Sequence, residues 1–124
     1  NILKTPMKNC KDFDLKKLIK NKSFRNKHNF NPSHLKTFKY KLFKKIKEED
    51  LKIDNKMIKS ATDLAMMMPM LEMAGQKIKC IDKLLYVYTV DHPNSLHNNG
   101  PKMSEQTNNN YIIRRKKRYD TVIF

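Results

Sequence analysis

The sequence predicts an α/β chain that is mainly helical, carries a few strands and cannot close a sheet by itself. Three observations lead there. Apolar residues recur at helical spacing after Ser33, a helix-start signal at Ser60 and a Gly75 stop bracket a second apolar run, and Tyr86-Val87-Tyr88 gathers β-formers in one short stretch. The order helix, helix, strand, helix lacks the other strands a sheet needs, so the chain is expected to be an incomplete α/β unit.

Residues 1–30 read as an irregular, polar lead-in, with Pro6 and then Pro32 as breakers. Within it Phe13, Leu15, Leu18 and Ile19 fit one short amphipathic helix. Ser33 is the expected N-cap of a helix carrying Leu35, Phe38, Leu42, Phe43 and Ile46 on one side, with Lys36, Lys39, Lys41, Lys44 and Lys45 between them. A charged loop follows over 47–56. Ser60-Ala61-Thr62-Asp63 spells a capping box, opening a helix that runs to Ala74 and stops at Gly75, with Pro69 expected to kink or strain it. Ile78, Cys80 and the stretch 84–90 read as β structure, 91–103 as loop, and 104–119 as a last, basic helix.

The bulk composition narrows the functional classes. With 124 residues there is room for one small domain or part of a larger one. The apolar share is 39%, low for a globular core, and the chain opens on Asn1 with no signal peptide ahead of it, so it is expected to be a piece of a longer polypeptide. The 27 Lys and Arg exceed the 12 Asp and Glu by 15, a field that attracts nucleotide phosphates, nucleic acid or an anionic membrane surface. Codon bias toward Lys, Asn and Ile accounts for much of the same excess. Cys10 and Cys80 are too few and too far apart to suggest a disulfide scaffold or a structural metal, which makes a reducing, cytoplasmic setting the default. The longest apolar run, near 64–73, is broken by Pro69 and Glu72 and does not read as a membrane span, so membrane association is expected to be peripheral at most.

Asp63 is the first candidate for chemistry. A carboxylate in the first turn of a helix sits beside unpaired N–H groups and the positive end of the helix dipole. That environment suits a general base, although such a residue is first of all a capping group. Glu72 lies nine residues on, roughly 180° around the helix, so the two do not form a paired-carboxylate site. Glu72 reads as a structural carboxylate paired with a nearby base, and the methionines at 66–68, 70 and 73 read as core packing.

Four blocks in order then carry a resemblance. They are Ser33-His34-Leu35-Lys36-Thr37-Phe38, Leu42-Phe43-Lys44-Lys45-Ile46, Thr62 through Gly75 with Leu71-Glu72-Met73-Ala74-Gly75 at its end, and Leu85-Tyr86-Val87-Tyr88. Together, over about residues 30–119, they resemble the second half of family-2-type glycosyltransferases of the bacterial and giant-virus branch. The resemblance implies a GT-A fold, a Rossmann-like α/β domain, of which this chain would be the C-terminal, acceptor-side portion. It implies a nucleotide-sugar donor, a hydroxyl acceptor and an inverting transfer with Asp63 as catalytic base. His34, Lys36 and Glu72 are then substrate-side contacts, Lys36 standing where the family has Arg and so lacking its bidentate fork. A divalent metal, Mn or Mg, is expected at the diphosphate, with His92 as its one candidate ligand here, although this branch more often has Asn in that stretch. The main ligands, an Asp-x-Asp motif, belong upstream. Asp12-Phe13-Asp14 spells that motif but lies too close to His34 and runs into Leu15-Lys16-Lys17-Leu18-Ile19, so it reads as a helix start.

The implied enzyme would therefore be inactive as this chain alone. Two rivals stand beside it: a basic nucleic-acid-binding module, which the charge favours but for which no zinc spacing, RNP-type motif or helix-turn-helix is present, and a non-catalytic remnant. The basic run 114–118 reads as a solvated helix face, with phosphates or membrane lipid as its other uses.

Overall fold

The computed structural model describes residues 2–3, 14–26, 35–81, 83, 86, 88–89 and 100–123. These form a mixed helical and strand structure built around one helix, α3 (Thr62–Ala74). Leu64, Ala65 and every residue from Met68 to Met73 are buried, so α3 is enclosed on all sides rather than amphipathic. The methionines do act as filling: Met68, Met70 and Met73 are almost wholly buried. Pro69 lies inside α3, and the helix runs through it without interruption.

The other elements wrap α3. Helix α1 (Leu15–Asn21) buries Leu18 and is capped by Asp14, whose carboxylate accepts from the Lys17 N–H at 3.1 Å. The Asp-x-Asp spelling at 12–14 is thus a helix start at its described end. Helix α2 is a single turn (Tyr40–Phe43), and α4 spans Gly100–Arg115, packed on α3 and burying Ile113. Strands β2 (Lys52–Ile53) and β3 (Lys56–Met57) form a hairpin, while β1 (Ile2–Leu3) pairs antiparallel with β4 (Tyr88–Thr89). Leu18, Phe24, Ile58, Leu64, Ala65, Met68, Leu71 and Ile113 make up the main apolar cluster.

Several expectations change. The helix expected from Ser33 to Ile46 shrinks to one turn, because residues 35–39 are not helical and α2 begins without a side-chain cap. Lysines at 41, 44 and 45 would be like-charged neighbours on a longer helix, a local penalty that Leu35 and Phe38, which stay exposed, do not offset by burial. The loop at 47–56 contains a 3-10 turn (Glu48–Leu51) and the β2–β3 hairpin. Asp54 and Asn55 make that turn with φ of 52° and 63°, the two left-handed positions of a type I′ turn. The last helix begins at Gly100, within the expected loop, and ends at Arg115 rather than continuing to 119.

The start of α3 also departs from the capping box. Its N-cap is Ala61, at φ 63°, which shifts the helix by one residue and puts Asp63 second rather than third. Ser60 is buried, its Oγ has no hydrogen-bond partner among the described residues, and its carbonyl accepts from Asn109 Nδ2 at 3.1 Å. At the other end Gly75 does stop the helix, at φ 56°. A Cβ there would stand 2.8 Å from Thr121 Cγ2. Residues 119–122 run back across this end, the Val122 N–H donating to the Met73 carbonyl at 2.9 Å, so the tail satisfies a carbonyl the helix leaves open.

Cys80 is disulfide-bonded, and the chain's other cysteine, Cys10, lies outside the described residues. Disulfides persist in oxidising compartments, so a reducing setting no longer follows from the cysteines. Among the described residues no helix is long and apolar enough to cross a membrane.

Candidate functional site

Asp63 stands on the first turn of α3, on the side away from Glu72, with its side chain 52% exposed. Lys36 Nζ lies 3.0 Å from Asp63 Oδ2, and only 15% of the Lys36 side chain is exposed. Two candidates from separate stretches of sequence therefore meet: Lys36 and the acid opening the central helix. The contact pins the segment after residue 35 to the start of α3, beside α2, which packs on α3. Chemically the arrangement offers a solvent-facing carboxylate next to one ammonium. His34 and His92 lie outside the described residues.

Glu72 is elsewhere. Its side chain is 1% exposed and is gripped by Arg25, itself 7% exposed. Arg25 Nη2 donates to Oε1 at 2.7 Å, Nε donates to Oε1 and Oε2 at 3.0 and 3.1 Å, and the Tyr119 N–H donates to Oε1 at 3.2 Å. No face of the carboxylate is left for a substrate, so the substrate-contact expectation for Glu72 gives way to the pairing one, and the base beside it is Arg25. Arg25 Nη1 also donates to the carbonyls of Ile113 and Lys116 at 2.9 and 3.3 Å. One guanidinium thus ties the segment after α1 to α3 and to the end of α4.

Arg25 was missed from sequence because it sits in a stretch that reads as polar and irregular. A signal existed: apart from 114, 115 and 118 it is the chain's one arginine, where lysine serves at every other basic position. A planar fork is what a buried, multidentate carboxylate contact needs.

The basic run 114–118 is not a uniform solvated face. Arg114, half-buried, donates to Asn110 Oδ1 at 2.7 Å and to the Phe24 and Arg25 carbonyls at 3.5 and 3.3 Å, and burial lowers its pKa. Arg118 donates to the Lys22 carbonyl at 2.7 Å, and Arg115 lies over the Tyr111 ring. Part of the positive excess is therefore fold-holding. Tyr119 donates its hydroxyl to Asp50 and accepts from the Lys47 N–H at 2.9 Å. Burial first, then the Asp50 hydrogen bond, pushes its phenol up to about 12.

A shallow depression of about 510 Å³ lies on the hairpin, lined by Glu48, Glu49, Lys52, Asp54 and Asn55, none of them a sequence candidate. Among the described residues no three of His, Cys, Asp and Glu gather as metal ligands. No family model matches the chain, and no curated protein or solved structure matches it significantly.

Proposed function

We propose that the chain is the acceptor-side part of a nucleotide-sugar-dependent glycosyltransferase of GT-A type, with Asp63 as general base of an inverting transfer. The observation that carries the reading is the meeting of Lys36 and Asp63, from two different blocks of the resemblance, at an exposed helix start. In the proposed step the acceptor O–H gives its proton to the Asp63 carboxylate while its oxygen bonds to the anomeric carbon. The bond from that carbon to the diphosphate breaks, and the nucleoside diphosphate leaves with the electron pair. Lys36 is a positioning residue, fixing the carboxylate and adding positive charge near an anionic donor. Glu72 and Arg25 hold α3 in place and touch no substrate. A divalent metal would be held mainly by residues outside this chain, with His92 as the candidate within it, and no step depends on it here.

The test is acceptor-dependent release of nucleoside diphosphate by the encoded polypeptide, across a panel of nucleoside-diphosphate sugars. Release that requires a hydroxyl acceptor supports the proposal. No release with any donor, together with no donor binding by calorimetry, overturns it.

A further inference from the structure

Residues 33–47 hold six lysines and no acidic side chain. Within this stretch Leu35, Phe38 and Tyr40 stay 56%, 43% and 67% exposed. Large apolar groups left in water next to one another mark a surface that something else covers. Phe38 and Tyr40 both stack on Phe43, with centroids 6.3 and 5.9 Å away and planes at 29° and 22°, so the three rings form one patch. Lys44 Nζ stands 5.9 Å from the centre of the Tyr40 ring, and Lys39, Lys41 and Lys45 are exposed in the same short stretch. Lys36 is turned to Asp63 instead.

We propose that this aromatic and basic segment, residues 35–45, docks the protein on an anionic lipid bilayer. Aromatic rings settle at the boundary between headgroups and acyl chains, where an apolar body and a polar tip are both accommodated. Lysines beside them reach the lipid phosphates, each strengthening binding about fivefold. Single-stranded nucleic acid also takes rings and cations, but it needs open ring faces for its bases. Here the rings stack on one another, and the segment has no arginine fork for base edges or phosphates. The charge suits an anionic bilayer as it suits a nucleic acid, and the stacked rings are what favour lipid. This inference does not depend on sugar transfer by Asp63.

The experiment is co-sedimentation with phosphatidylcholine vesicles, with and without phosphatidylserine, over a salt series. The protein is expected to bind only the anionic vesicles and to weaken as salt rises. Lys39→Gln with Lys44→Gln should lower binding about 25-fold at about fivefold per lysine. Lys16→Gln with Lys20→Gln, an equal charge loss at exposed positions on α1, which packs at the Gly75 end of α3 rather than at its Asp63 end, should change it less than about twofold. Tyr40→Ser should weaken binding at every salt concentration, and at 67% exposure it should leave the circular dichroism melt unchanged. Equal losses from both lysine pairs would reduce the effect to net charge and overturn the proposal. So would no binding to anionic vesicles, or capture of a single-stranded oligonucleotide that the Lys39 and Lys44 changes abolish while vesicle binding persists.

Discussion

Replacing Arg25 by Met removes the guanidinium and keeps most of its volume, so the loss measures the charge and hydrogen bonds rather than a cavity. In the intact protein Arg25 makes three contacts of 2.7–3.1 Å with Glu72 and two with carbonyls at the end of α4. Without it the Glu72 carboxylate, 1% exposed, keeps one donor among the described residues, the Tyr119 N–H at 3.2 Å. Leaving one partner of a buried pair uncompensated costs about 3–5 kcal/mol. That is a large part of the roughly 5–15 kcal/mol that holds a small domain folded, and it corresponds to a fall of roughly 10–20 °C in Tm. Urea unfolding followed by circular dichroism reads it directly. Adding Glu72→Met to Arg25→Met should recover part of the loss, since two apolar side chains leave no buried charge behind. A cost below about 1 kcal/mol for Arg25→Met, or a double variant less stable than the single one, would refute the assignment of this pair as the tie between α1, α3 and α4.

Three other perturbations follow from the same packing. Gly75→Ala should destabilise by about 1–3 kcal/mol, because alanine resists φ 56° and its Cβ meets Thr121, and an unchanged urea midpoint would contradict it. Ser60→Ala should be neutral or slightly stabilising, since its buried hydroxyl has no partner among the described residues; a loss of about 1 kcal/mol would instead restore the capping box. With the Tyr119 phenol raised to about 12, the folded chain holds that proton more tightly than the unfolded one, so the stabilisation is whole below pH about 10 and is lost as pH climbs toward 12. Tyr119→Phe should flatten the stability curve in that window relative to the parent, and parallel curves would show that the hydroxyl is not coupled to folding.

What could be read from sequence was local and periodic. The α3 run, its Gly75 stop, the methionine filling and the short helix after Asp14 all rest on signals a few residues apart, and all are present. The failures came where tertiary contacts overrode local pattern. Ser60 has good capping chemistry, yet Asn109 holds its carbonyl and the chain enters α3 through Ala61 in the left-handed region. Leu35 and Phe38 have helical spacing with Leu42, but the segment is not helical until Tyr40 and Lys36 reaches Asp63 from non-helical chain. The Asp54-Asn55 turn was written in the sequence as two residues tolerant of positive φ between Ile53 and Lys56, and it passed as loop because the flanking strands are two residues each. Half of the candidate site was legible in the same way. Asp63 is marked by its place at a helix start, whereas its contact with Lys36 spans 27 positions and has no local signature. Arg25 and Glu72, 47 residues apart, meet only because α1, α3 and α4 converge there.

The central claim is that Asp63 takes the proton of an acceptor hydroxyl. Its most direct measurement is steady-state turnover of the encoded polypeptide beside its Asp63→Asn variant, with donor affinity measured separately. Asn keeps the size and removes the basicity, so kcat should fall about 10²–10⁴-fold while donor affinity stays the same. Turnover within a few-fold of the parent would contradict it, because a transfer that proceeds without this carboxylate has its base elsewhere.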